Sequence, residues 1–68
     1  MEKLWIARDK DGTLTIFSER PIIKDNEYWV APYIGTREMN IADSEYYYSE
    51  LTFENSPQQL ELVIKTLF

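Results

Sequence analysis

The chain has no cysteine and no histidine, and among its 68 residues only two are glycine and three proline. Without cysteine there is no disulfide and no thiolate nucleophile. Without histidine there is no imidazole base, and zinc loses its two commonest ligand types. Cations are scarce as well, with seven Lys and Arg against twelve Asp and Glu and a net charge of −5. That balance does not suit the phosphate backbone of nucleic acid, whose binding is driven by Lys and Arg displacing counterions. No stretch approaches the roughly 20 apolar residues of a membrane-spanning helix, and the Met1–Trp5 start has no apolar run of signal-peptide length, so a cytoplasmic protein is expected. What is abundant is apolar and aromatic, at 44% and 15% of residues, too much for a disordered chain. A chain this short buries only about 60% of its unfolded surface, so its extra stability must come from aromatic packing or self-association.

There is no linker, repeat or low-complexity segment, and one small domain over 1–68 is expected. Lys3–Arg8 (KLWIAR) and Thr13–Ser18 (TLTIFS) are β-branched and aromatic runs joined through Asp9-Lys10-Asp11-Gly12, and Asp-Gly is a hairpin dipeptide. A two-residue turn pairs Ala7 with Ile16, and a four-residue loop pairs Ala7 with Leu14. Either register puts Trp5, Ala7, Leu14 and Ile16 on one face and Leu4, Ile6 and Phe17 on the other. The hairpin is thus apolar on both sides. The chain looks too short to cover both, which points to a homodimer.

Ile22-Ile23 reads as a short continuation past Pro21, Lys24–Glu27 as a polar turn, and Tyr28–Ile34 as a strand that Pro32 keeps at an edge. Gly35–Ser44 gives little signal; Thr36–Met39 fits one helical turn or plain loop. Tyr47–Glu54 alternates as a strand. The tail from Ser56 fits a helix start, with Pro57 at the first position and Leu60, Val63, Ile64 and Leu67 at helical spacing. It also alternates as a strand through Leu60, Leu62 and Ile64.

Ala7–Leu14 (ARDKDGTL), Pro21 and Leu51–Pro57 (LTFENSP) together resemble a group of short proteins of unknown function from gut Bacteroidales and their phages. The likeness covers both ends of the chain but not its middle, and departs from the group's pattern at Tyr46-Tyr47-Tyr48. It implies a strand rather than a helix after Ser56-Pro57, and carries no activity with it. The expected fold is mainly β, a small antiparallel sheet or partly open barrel of four or five strands. The alternative is α+β, with a C-terminal helix packed on the sheet.

Candidate chemistry is thin. Asp9-x-Asp11-Gly12 is a fragment of a calcium loop, but with Gly12 at its sixth position the first falls on Ala7 and the twelfth on Ser18, neither a carboxylate. Glu19, Arg20, Lys24 and Asp25 read as solvated charge. No catalytic residue, metal site or cofactor is expected, and a carboxylate-only metal enzyme is the remotest of three functional readings. Trp5, Trp29, Tyr28 and Tyr33, with Arg8, Lys10, Arg20 and Lys24, could build a stacking surface on a small β-barrel nucleic-acid-binding protein. Such platforms are ringed with cations, which are sparse here, so core packing is the preferred reading of these aromatics. The richest segment is Glu38–Ile64, with six acidic residues and no Lys or Arg around Tyr46–Tyr48. Alternation puts Tyr46 and Tyr48 on the face opposite Tyr47. Tyrosine is enriched at interfaces, and an acidic field steers basic partners. A protein-binding surface of Glu45, Tyr46, Tyr48, Glu50 and Glu54 is therefore the preferred reading, set against a solvated acidic face with Tyr covering a sheet edge.

Overall fold

The first hairpin turns on three residues, Lys10-Asp11-Gly12. Asp9 N donates to Thr13 O at 2.8 Å, Gly12 N to Asp9 O at 3.0 Å, and Gly12 takes φ 97°, a backbone that only glycine adopts cheaply. Asp11 Oδ1 accepts from Thr13 N at 2.9 Å and closes the bend. A three-residue loop lies between the two expected lengths, so the register shifts by one: Trp5 faces Phe17, Ile6 faces Ile16, Ala7 faces Thr15 and Arg8 faces Leu14. The expected faces are corrected accordingly. Leu4, Ile6, Leu14 and Ile16 share one side, and Trp5, Ala7 and Phe17 share the other. Both sides remain apolar.

The computed structural model describes residues 3–42 and 48–61. In chain order the strands are β1 (Lys3–Arg8), β2 (Leu14–Phe17), β3 (Ile22–Lys24), β4 (Tyr28–Val30), β5 (Glu38–Ile41) and β6 (Gln58–Glu61). Four form an antiparallel sheet in the order β5-β2-β1-β6, while β3 and β4 form a separate two-stranded sheet. The architecture is small and mainly β, as expected, with no helix among the described residues.

Each face of the β1–β2 hairpin is covered by the chain itself. On one, Ile6, Leu14 and Leu51 form the buried cluster, flanked by Ile16, Ile41 and Leu60. On the other, Ala7 and Phe17 are buried and the Arg20 guanidinium lies 5.0 Å from the Trp5 ring centre. Pro21, next in the chain, is fully buried, and β4 lies against β1. Two hydrogen bonds hold that approach, Lys10 N to Glu27 O at 3.0 Å and Trp29 N to the Asp9 carboxylate Oδ1 at 2.8 Å. An uncovered hairpin face therefore gives no ground for a homodimer.

Other elements depart from expectation. Ile22-Ile23 does not continue β2 but pairs with β4, through a turn in which Asp25 and Asn26 both sit at φ 54°, as a type I′ bend requires. β4 ends at Val30, before Pro32. Thr36–Met39 is not helical, because Glu38–Ile41 forms β5 on the edge of the main sheet. The described part of Tyr47–Glu54 holds turns instead of a strand. Gln58–Glu61 pairs with β1, so the helix starting at Ser56 is ruled out there, and residues 62–68 lie outside the described ones.

Candidate functional site

Residues 48–57 hold their shape without a ladder. Thr52 and Asn55 bond reciprocally: Thr52 N donates to Asn55 Oδ1 at 2.7 Å and Asn55 N to Thr52 Oγ1 at 3.2 Å. This is the arrangement of a helix capping box wrapped around a single turn. The same Asn55 donates from Nδ2 to Glu50 O at 3.0 Å, and Ser56 Oγ donates to Thr52 O. The cap thus sits at Thr52, not at Ser56 where the sequence placed a helix start.

Arg8 fastens this loop to the sheet. Its backbone N donates to Ser56 Oγ at 2.9 Å. Its side chain donates to the carbonyls of Leu51 (2.7 Å), Gly12 (2.9 Å) and Tyr48 (3.1 Å). A planar guanidinium with five donors suits this task, since it reaches several acceptors at fixed angles. The ARDKDG and LTFENSP segments, at opposite ends of the sequence, are therefore joined at Arg8, by its backbone N to Ser56 and its side chain to Leu51. The sequence offered Arg8 only to the alternative, nucleic-acid-binding surface. Its position at the end of an apolar strand, beside a glycine turn, was the available signal.

Among the expected site residues, Tyr48 is 48% exposed and adopts φ 54°. For a bulky L-residue that backbone costs about 1–2 kcal/mol and persists only where surrounding contacts impose it. They do so here, since the Tyr48 carbonyl accepts both from Arg8 and from Leu51 N at 2.8 Å. Glu50 is exposed and lines, with Tyr48, Ser49, Leu51, Asn55 and Gln58, a cleft of about 470 Å3. Glu54 is exposed on the next turn and does not line it. Glu45 and Tyr46 lie outside the described residues. Among the described residues that line the cleft none is a Lys or Arg, and they offer a tyrosine ring, a carboxylate and side-chain amides. Such groups can hold a guanidinium or ammonium by charge, hydrogen bonds and the ring face.

The components of the stacking surface are dispersed onto internal partners. Trp5 lies half-buried beneath Arg20, and Trp29 tilts against Phe53 at 6.1 Å between ring centres. Lys10 Nζ sits 5.6 Å from the Phe53 ring centre. Tyr28 and Lys24 are exposed, and exposed Tyr33 has its phenol pKa raised, chiefly by its hydrogen bond with Glu19. In the first turn, Asp9 has a pKa raised mainly by burial, which outweighs the bond from Trp29 N. Asp11 has a pKa lowered mainly by the Thr13 backbone bond. Among the described residues no three acidic side chains gather to hold a metal, and no helix is long and apolar enough to cross a membrane.

Fold and site define a small β protein that displays a braced polar loop with an exposed tyrosine. No family model, curated protein or solved structure matches the chain.

Proposed function

We propose that this chain is a non-catalytic protein-interaction or accessory protein of a bacterium, phage or mobile element. It acts in the cytoplasm and binds a basic protein partner through its acidic, tyrosine-bearing surface. The observation that carries the reading is Tyr48, half-exposed beside Glu50 and the cleft, in a strained backbone that Arg8 and Leu51 hold in place. A loop ordered before binding loses less entropy on association, and tyrosine supplies large contact area with few rotatable bonds. Glu50 and Glu54 add the field that attracts a basic partner, and Glu45 and Tyr46, outside the described residues, belong to the same acidic, tyrosine-rich stretch of sequence.

The test is capture from lysate of the native host with wild type as bait, against a Tyr48→Ala, Glu50→Lys double variant. A partner enriched by wild type, lost by the variant and released by rising salt supports the reading. A partner retained by the variant sinks the site. Salt-sensitive binding to single-stranded nucleic acid in place of a protein sinks the function.

A further inference from the structure

We propose that the outer edge of β5 is a self-association surface, where a second copy of this chain adds its own β5 antiparallel and joins two four-stranded sheets into one. This surface lies apart from the Tyr48 cleft and does not depend on it.

The argument begins with hydrogen-bond phase. Beside the β2–β5 ladder, Ser18 N donates to Arg37 O at 3.0 Å and Arg37 N donates to Ser18 Oγ at 2.8 Å, so both backbone groups of Arg37 face β2. Antiparallel ladders alternate, and Met39 and Ile41, opposite Ile16 and Leu14, face inward in the same way. The N–H and C=O of Glu38 and Asn40 therefore point to the outer edge, where no further strand pairs among the described residues. An incoming antiparallel strand must match outward residues with outward residues.

For a second β5 this leaves three close registers. One sets Glu38 against its own copy, two carboxylates face to face. Another sets Asn40 against its own copy and moves Glu38 off the strand end. The third places Met39 against Met39 of the partner on the two-fold axis and Glu38 against Asn40 of the partner, twice. This third register is self-complementary. Asn40 Oδ1 already accepts from Thr15 Oγ1 at 2.8 Å, which directs the Asn40 amide hydrogens elsewhere, and the facing carboxylate of Glu38 takes them.

Side-chain parity agrees. Met39 is 61% exposed and borders a groove of about 210 Å3 with Leu4 and Ile16. A second methionine on the axis packs beside Met39 and takes part of its exposed side chain out of water. Charge does not oppose the contact locally, because Arg37 and Glu38 balance within a chain of net charge −5.

The native chain has no cysteine, so one introduced cysteine reports one position. In the favoured register residue 39 opposes itself in a non-hydrogen-bonded pair, where Cβ atoms lie within reach of a disulfide. The test is sedimentation of wild type at tens to hundreds of micromolar, together with air oxidation of Met39→Cys and Glu38→Cys in a glutathione buffer. The expected result is a doubled mass for wild type, a covalent dimer from Met39→Cys, and crosslinking at least about tenfold slower from Glu38→Cys. Asn40→Asp keeps an acceptor for Thr15 but faces Glu38 with a like charge, so it folds and its dimer weakens at least about tenfold. A monomer at every concentration overturns the proposal. So does equal crosslinking at 38 and 39, or a dimer indifferent to Asn40→Asp.

Discussion

Residues 48–57 contain no strand, and the β3–β4 hairpin is regular apart from its turn, yet the first region is the better anchored. Leu51 is 5% exposed within the core cluster, and Thr52, Asn55, Ser56 and Arg8 satisfy the backbone around it. In the hairpin all three residues of β3 are exposed, Ile22 at 51% and Ile23 at 42%. Among the described residues the hairpin is attached through Trp29, on Asp9 and Phe53, and through the Glu27 carbonyl on Lys10 N. A backbone ladder fixes two strands to each other, but it does not fix them to the rest of a protein. What fixes a segment is buried apolar area and polar groups satisfied across long stretches of sequence.

The sharpest way to break that contrast is to truncate one apolar side chain in each region. Leu51→Ala should cost about 2–4 kcal/mol by urea denaturation, as a transfer loss plus a cavity. Ile23→Ala should cost under about 1 kcal/mol, because much of its side chain already meets water. Equal losses would show that the hairpin is anchored as firmly as the loop.

Arg8 sharpens the comparison next. Arg8→Ala strips a donor from the carbonyls of Leu51, Gly12 and Tyr48 and should cost about 2–3 kcal/mol, with faster amide exchange across 48–57 and little change across β3–β4. Arg8→Lys should recover less than half of this, since one ammonium cannot span three acceptors in the guanidinium's geometry. Full rescue by Lys would reduce Arg8 to a point charge.

Asn55→Ala and Asn26→Gly form a smaller pair. Asn55→Ala removes both the acceptor for Thr52 N and the donor to Glu50 O, and should cost about 1–2 kcal/mol. Asn26→Gly, at φ 54° in an exposed turn, should shift stability by only about a few tenths of a kcal/mol, because glycine tolerates that backbone at no steric cost. Thermal unfolding of both variants reads the difference.

The same contrast shows what the sequence could and could not disclose. Asp11-Gly12 announces a hairpin, and the two apolar faces follow from any register of KLWIAR against TLTIFS. The loop length is another matter, since two, three and four residues are all compatible with DKDG, and each step of one exchanges the faces. Glu38-Met39-Asn40-Ile41 alternates as a strand should. The helix-forming character of Arg37, Glu38 and Met39 obscured it, and pairing with β2 decided the matter. Tyr47–Glu54 failed in the opposite way: its alternation is real, but Asn55 and Thr52 offer the backbone a local alternative to a ladder. Tyr48, Glu50 and Glu54 are exposed, but in turns and not through the strand parity that the sequence suggested. The partners of Arg8 were not legible, because they are carbonyls up to 43 residues away; its place at the end of an apolar strand marks it as a bracing residue without saying what it braces.

The smallest effect tests the turn that both regions share. Asp9 holds β4 through Trp29 N, and Asp11 shapes the bend that brings Gly12 O to Arg8, so the two carboxylates serve the hairpin and the loop respectively. Their protonation runs in opposite senses. Burial raises the Asp9 pKa above the ordinary 3.8, so its ionised form is disfavoured in the folded protein. Its contribution is present in acid and lost as pH rises through the folded pKa. The Thr13 bonds lower the Asp11 pKa below 3.8, so its contribution is present above that value and lost as pH falls through the folded pKa. Asn at position 9 keeps an acceptor for Trp29 without the buried charge. Asp9→Asn should therefore match or exceed wild-type stability at pH 7, with any excess vanishing on acidification. Asp11→Asn should fall below wild type at pH 7 and converge with it in acid. Stability–pH curves by chemical denaturation separate the two, and curves shifting in the same direction would show that the carboxylates act as one charge, not as separate anchors for the two regions.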